Sequence, residues 1–330
     1  MLYYILKRLL YMVFFLALLS VVGFLIIELP PGSYLDVRLR TLKSHGTAVD
    51  ENLIASLIKQ YDLDSPTFVR YFKWIGKIFR GEWGVSFHYG RPIQELIGER
   101  LPTTILLTTF TLLFVYAVSI PIGIYSATHQ YSVGDYAVTF LGFIGLATPN
   151  FLLALILMFF GLKIFGIGLT GLFSAEYVSA AWSLGKFVNL LKHLPIPIIV
   201  IGTAGTAGLI RVMRGCLLDE LRKQYVITAR AKGVRETQLL FRYAVRVAIN
   251  PVISTIGWEL PAIFSGEAIT AIVLALPTTG TLFYSALITQ DMYLAASIVL
   301  ILGFLVVIGT LVSDFLLVWV DPRIRLEKGN

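Results

Sequence analysis

The sequence predicts an all-α, polytopic membrane protein with six transmembrane helices and a small helical subdomain outside the bilayer. Three observations carry that reading. Of 330 residues, 57% are hydrophobic and only 14% charged, well short of the roughly 25% charged share of a soluble domain. Six apolar stretches match the ~20 residues a helix needs to cross hydrocarbon. Basic residues are concentrated around one polar stretch: Arg211, Arg214, Arg222, Lys223, Arg230, Lys232, Arg235, Arg242 and Arg246 face only Asp219, Glu220 and Glu236. Such a bias beside apolar spans marks the cytoplasmic side. It accounts for much of the formal charge of +7, so a nucleic-acid partner is not needed to explain it.

In chain order, residues 1–32 hold the first span. Lys7 and Arg8 precede the apolar run Leu9 to Ile27, and Glu28-Leu29-Pro30-Pro31-Gly32 ends it without a small-x-small cleavage site. The pattern predicts an uncleaved helix with its N-terminus inside rather than a signal peptide. Residues 33–100 form the longest polar segment, placed outside by topology. Asp50 can cap a helix carrying Leu53, Ile54, Leu57, Ile58 and Tyr61 on one face. Asp62-Leu63-Asp64-Ser65-Pro66 breaks it, and a second helix carries Phe68, Tyr71, Phe72, Ile75, Ile78 and Phe79. Aromatics at that spacing either pack a small cap or line a ligand pocket; packing is the simpler account.

Residues 101–330 hold the other five spans. Leu101-Pro102 opens the second, which runs to about Ala127, because proline is tolerated in a first helical turn. Pro121 lies deeper and predicts a kink. A third span covers about Tyr136 to Phe165 with Thr148-Pro149-Asn150 in its middle. The turn before it, Thr128 to Gly134, has no Lys or Arg, so only parity assigns its side. An outer loop leads to a fourth span, Pro195 to Met213. A fifth runs from Pro251 to Leu276, and the last from Asp291 to Val320, both chain ends lying inside. The fifth carries Glu259, Pro261 and Glu267. Carboxylates at membrane depth cost ~2.5–3.5 kcal/mol on insertion scales, so they belong in a bundle interior or a wet path. Glu259 and Glu267 can line a translocation path, bind a cationic substrate group, relay protons, or form a structural pair with neighbouring groups.

The basic stretch, about residues 214–249, is the centre of the chain. Leu217, Leu221, Tyr225 and Ala229 recur every four residues, and Leu240, Tyr243, Ala244, Val247 and Ala248 make a second stripe. Gly233 lies between them, where the chain can reverse at positive φ without steric cost. Two short amphipathic helices joined at a glycine are expected.

The wording of this stretch is specific. Tyr225-Val226-x-Thr228-Ala229-Arg230-Ala231-Lys232-Gly233, followed by Arg246-x-Ala248-x-x-Pro251, closely resembles the coupling-loop signature of ATP-binding-cassette (ABC) importer permeases. It is most similar to the branch that imports dipeptides, oligopeptides and nickel. The resemblance implies the type I importer permease fold, with this loop docking into a groove on a separate ATPase subunit. Ala229 and Ala231 would then allow close approach, with Arg230 and Lys232 bonding the partner. It also implies a similar or identical second permease chain, two cytoplasmic ATPases that hold the ATP and Mg, and an extracytoplasmic solute-binding protein. The location implied is a bacterial or archaeal inner membrane. Leu276-Pro277-Thr278-Thr279-Gly280 resembles the family's extracytoplasmic Pro-Gly-Leu-Gly turn, of which Pro277 and Gly280 match. Residues 30–33, Pro-Pro-Gly-Ser, replace the usual Pro-Gly-Asp-Pro. Peptides are the solute implied, with oligosaccharides or nickel as alternatives.

Other chemistry finds little support. Gly-x-x-x-x-Gly-Lys-Ser/Thr does not occur, so no phosphate loop is present and the chain is not expected to be an enzyme. His45, His88, His129 and His193 lack metal-ligand spacing, and Cys216 is the only cysteine, so no metal site or cofactor is expected. A different-class reading remains, an ion-coupled secondary transporter using Glu259 and Glu267.

Overall fold

The computed structural model describes residues 2–28, 65–165, 170–181, 183–257, 259–260, 263 and 268–320. The described residues are helical throughout, apart from loops and one isolated bridge between Val85 and Pro92. The helices are α1 Leu2–Glu28, α2 Thr67–Phe79, α3 Ile93–Thr128, α4 Val133–Ala147, α5 Asn150–Phe165, α6 Ala175–Val178, α7 Leu184–His193 and α8 Pro195–Leu221. After these come α9 Gln224–Ala231, α10 Glu236–Gln238, a π-helical turn Leu239–Ala244, α11 Val245–Ser254, α12 Ala268–Val273, α13 Thr279–Ile288 and α14 Met292–Val320. Ile93–Thr128, Leu184–Leu221 and Met292–Val318 are long and apolar enough to cross a bilayer. The bent pair α4–α5 makes a fourth if counted as one span.

The chain divides into two compact units, one of residues 1–102 and 281–304, the other of residues 103–280 and 305–330. In the first, Ile93, Leu96 and Ile97 pack with Leu282, Ala286, Leu294, Ala295 and Ile298. That packing moves the start of α3. The sequence places it at Leu101-Pro102, yet the helix begins at Ile93 and carries Pro102 in its interior. An interior proline costs ~3 kcal/mol, whereas burying three Ile and Leu side chains returns ~1.5–3 kcal/mol each. The second helix expected within residues 33–100 is present as α2. The helix expected after Asp50 lies outside the described residues.

In the second unit, the single third span of the sequence reading is replaced by two helices bent by 103°. The break is at Thr148-Pro149. A residue before proline is driven out of the α region, and Thr148 is extended at φ −86°, ψ 119°. Pro149 then offers its carbonyl to Leu152 and Leu153 at 2.9 and 3.1 Å, starting α5 in a new direction. The fourth span is longer than expected, since α8 runs on to Leu221. The fifth is not one continuous helix: α11 starts at Val245 and ends at Ser254, and Thr255 is a turn residue.

Neighbours come close to helix α8 at several glycines. A Cβ on Gly123 of α3 would meet Met213 Cβ at 2.7 Å and the Ile210 carbonyl at 3.1 Å. One on Gly145 of α4 would lie 2.9 Å from Thr203, and one on Gly202 would lie 2.9 Å from Phe114. Lipid is as apolar as leucine, so helices in a bilayer associate through such close small-residue contacts. We expect Gly123→Ala to destabilise the purified chain by ~1–3 kcal/mol, the usual cost of overpacking. Gly208→Ala, with open space around its Cβ, should be neutral or gain up to ~1 kcal/mol from the lost glycine entropy. Thermal unfolding of the two variants in one detergent checks this ordering.

Candidate functional site

The candidate site grows out of the end of α8. Leu217 is buried there beside Met213. The helix stops at Leu221, Arg222 caps it at φ −90°, ψ −4°, and Lys223 turns extended at φ −72°, ψ 146° before α9 begins. The expected four-residue stripe is therefore broken. Two residues leave the helix, the phase shifts, and Val226 and Ala229 face inward, 0% and 7% exposed. Tyr225 faces outward, its hydroxyl donating to Glu220 Oε2 at 2.5 Å. Of the expected stripe, Leu217 and Ala229 are in the core, while Tyr225 is not on the packing face; Ala229 packs inward instead of standing free for close approach to a partner.

The second half of the loop also differs from its expected stripe. Residues 239–244 form a π-helical turn, which adds a residue per turn and rotates the face that follows. Leu239, Ala244, Val245, Ala248 and Val252 are buried, while Leu240 and Tyr243 pack partly and Val247 is exposed. Both halves close on one apolar cluster with Leu209, Met213 and Leu217 of α8 and Val115 and Ala127 of α3.

The tip is held by its own chemistry. Gly233 takes φ +79°, the left-handed conformation that glycine adopts without penalty. Its N–H donates to the Arg230 carbonyl at 3.0 Å, and that of Val234 to the Ala229 carbonyl at 3.2 Å. This pair of bonds is a Schellman motif, and Val234 supplies its accompanying apolar contact by packing on the cluster that contains Ala229. Arg230 adds a two-pronged ion pair across the turn to Glu236, Nε to Oε1 at 2.6 Å and Nη2 to Oε2 at 3.1 Å. The hydrogen bond from Arg230 holds the Glu236 carboxyl below its ordinary range. Arg230 is therefore engaged within the chain, where the sequence reading had it reaching for a partner. Ala231, Lys232 and Gly233 are exposed at the apex, with Thr228 one turn earlier on the surface of α9.

An ion pair that the sequence reading missed ties α8 to its neighbours just above the loop. Arg214 donates from Nε to Asp135 Oδ1 at 3.1 Å and from Nη2 to Oδ2 at 3.0 Å. Asp135 is 3% exposed and also accepts from Ser126 Oγ and from the Tyr131 N–H at 2.9 Å. The carboxylate thus joins the end of α3, the following turn, the start of α4 and α8. The turn without Lys or Arg borrows its cation from α8. The signal was local: Ser132-x-x-Asp135 is a helix-start pattern, and Ser132 Oγ accepts the Asp135 N–H at 3.2 Å.

The other candidate residues lie apart from this loop. Glu259 is half-buried, its Oε2 lying 3.2 Å from where a Cβ on Gly205 of α8 would stand. It sits one turn after Thr255, whose Oγ1 is 2.5 Å from Tyr116 Oη. Pro261 and Glu267 fall outside the described residues. Pro277 is half-buried and Gly280 buried. Gly280 belongs to the first turn of α13, and the left-handed residue of this reversal is Ala275 at φ 53°. The Thr279 N–H donates to Thr104 Oγ1 at 2.9 Å. Beside it, Thr104, Thr108, Thr278 and Gly280 help to line a cavity of about 20 Å³, room for one water.

Removing Asp135 leaves the Arg214 cation half-buried without its partner. Breaking a buried pair costs ~3–5 kcal/mol, and the lower end is expected because the Arg214 side chain is 27% exposed. Asp135→Ala should lower the unfolding temperature more than the double variant Asp135→Ala/Arg214→Met, which removes the stranded charge. Equal losses would show that the charge itself is not what the pairing protects.

Comparison with known proteins shows the family. Residues 119–326 match the family model described as "Binding-protein-dependent transport system inner membrane component". The chain is 34% identical to the oligopeptide transport system permease protein AppB of Bacillus subtilis, over 98% of this chain and 99% of that one. It is 29% identical to the dipeptide transport system permease protein DppB of Alkalihalophilus pseudofirmus, over 98% and 100%. It is 33% identical to the inner membrane ABC transporter permease protein YejB of Escherichia coli O157:H7, over 86% and 78%. Among solved structures, an inward-facing MetNI methionine ABC transporter matches with a TM-score of 0.54 at 16% identity, over 69% of this chain and 97% of that one. That likeness is one of fold. The family match covers most of the chain and the curated relatives nearly all of it: this chain belongs to the family of binding-protein-dependent transport system inner membrane components.

Proposed function

We propose that this chain forms half of the translocation pore of an ATP-driven ABC importer of peptides, and that the 224–233 segment is its contact with a cytoplasmic ATPase. The observation that carries the reading is the build of that segment. Val226, Ala229 and Val234 root it in the core, while Ala231, Lys232 and Gly233 stand exposed at its apex. A rigid root with a small, basic apex suits docking into a groove: force applied to the apex reaches α8 and α11 through packed side chains. Peptides are favoured over oligosaccharides or nickel because the full-length curated similarities cited above carry peptide names.

The wider assembly belongs to the same proposal. Six spans, both termini inside, and residues 33–100 as an extracytoplasmic subdomain follow from hydropathy and charge bias. Residues 1–32 form the first span and 101–330 the core permease. A second permease chain completes the pore, a solute-binding protein delivers cargo, and two ATPases hold ATP and Mg. Alternating access follows: closure of the ATPases moves the loops, and the spans rock between inward- and outward-facing states. Glu259, placed against Gly205 inside the second unit, is a pore-side carboxylate in this reading, with Pro261 and Glu267 on the same stretch.

Ala231→Glu, which adds bulk and an acid at the apex, should reduce ATPase co-purification with the permease. Gly233→Val introduces a β-branched residue at φ +79°, a strain of ~1–2 kcal/mol. It should leave the protein in the membrane while abolishing solute-stimulated ATP hydrolysis and uptake. Wild-type assembly and transport in both variants would remove the loop from the coupling role.

Glu259→Gln should lower ATP-dependent peptide uptake in proteoliposomes several-fold, with ATPase co-purification unchanged. Uptake that instead follows an ion gradient without ATP would identify a secondary transporter.

A further inference from the structure

The 276–280 reversal is fastened to α3 by buried hydroxyls. Thr104 and Thr108 stand one turn apart on α3, 4% and 2% exposed. Thr104 Oγ1 accepts the Thr279 N–H at 2.9 Å and the Thr279 hydroxyl at 3.2 Å. Two further polar groups at this joint need a partner that the protein does not supply in the same way. The Thr108 hydroxyl makes no hydrogen bond among the described residues. Gly280, also buried, is the second residue of α13. Its N–H is therefore one of the four that a helix start leaves without an intrahelical acceptor.

Thr108 and Gly280 line one cavity, with Thr104 and Thr278 beside them and Leu107 and Ile201 in its apolar wall. Its volume, about 20 Å³, decides what it can hold. A water needs roughly 10–15 Å³ and two to four polar partners, so one water fits and a carboxylate or larger group does not. The described lining residues include no acid, so a metal cation would meet no balancing charge. We infer that a single ordered water is bound here, accepting from the Gly280 N–H and donating to the Thr108 hydroxyl, with the Thr278 hydroxyl in the same cavity as a third partner. A buried hydroxyl or N–H carries a penalty until a partner reaches it, and one water serves both groups. It adds a link next to the Thr104–Thr279 bonds, so that two successive turns of α3 hold the start of α13. This inference rests on the cavity and its bonds and not on the transport reading.

The test is X-ray hydroxyl-radical footprinting of the full chain in lipid nanodiscs. A bound water forms radicals in place, so side chains beside it are oxidised even where bulk solvent cannot reach. Leu107 and Ile201, 3% and 8% exposed, should be oxidised in the parent and in Thr108→Ser, which keeps the hydroxyl. In Thr108→Val, nearly the same shape without the hydroxyl, their oxidation should fall several-fold. That variant should also melt at a lower temperature, because the water loses a partner. A parent in which neither Leu107 nor Ile201 is oxidised would overturn the proposal, because the cavity would then be dry. Oxidation unchanged in Thr108→Val would overturn Thr108 as the partner of the water. A valine variant that melts at or above the parent would overturn it as well, since a methyl would then have replaced a hydroxyl that bonded nothing. The parent and Thr108→Ser measurements decide the case even where the valine variant accumulates poorly.

Discussion

The second unit depends on how closely helices approach α8. With no hydrophobic gain from leaving lipid, contact distance and a few polar ties supply the adhesion. Gly123, Gly145 and Gly202 remove the side chains that would hold α3 and α4 away from it. Where backbones come this near, one misplaced methyl is felt. A buried ion pair then sets direction. Asp135 collects Arg214, Ser126 and a backbone N–H, so α3, α4 and α8 are pinned at the end from which the basic loop emerges. Packing supplies adhesion, and the carboxylate supplies register.

The basic loop inherits that rigidity. It is not a solvated connector, because its inward face continues the core of α8 and α3 through Val226, Ala229, Leu239 and Ala244. Its outward apex is minimal: one alanine, one lysine and a glycine in a left-handed conformation. The two-pronged Arg230–Glu236 pair is exposed, so screening by water limits what it adds to stability. Its geometric role is to keep the reversal closed. The apex thus stands on side chains packed into the core of α8 and α3.

Much was determined by the sequence alone. Composition placed the chain in a membrane, hydropathy placed helices close to where they stand, and Gly233 was located as the reversal because only glycine adopts positive φ freely. The residues around it were also sufficient to indicate the family. Phase and continuity were decided by tertiary structure. A four-residue period continued through Arg222 and Lys223 on paper, but no local breaker announces that two residues leave the helix, and packing on Leu217 chose Val226 over Tyr225. In the second stripe Ala244 and Ala248 stay buried, while the π-helical turn brings in Leu239 and Val245 in place of Leu240 and Val247. Proline had opposite outcomes: Pro149 broke a span by driving Thr148 out of the helical region, whereas Pro102 was absorbed because Ile93, Leu96 and Ile97 gained more by burial than the missing hydrogen bond cost. The Asp135–Arg214 pair joins positions 79 residues apart, and only folding brings such a pair within hydrogen-bonding distance.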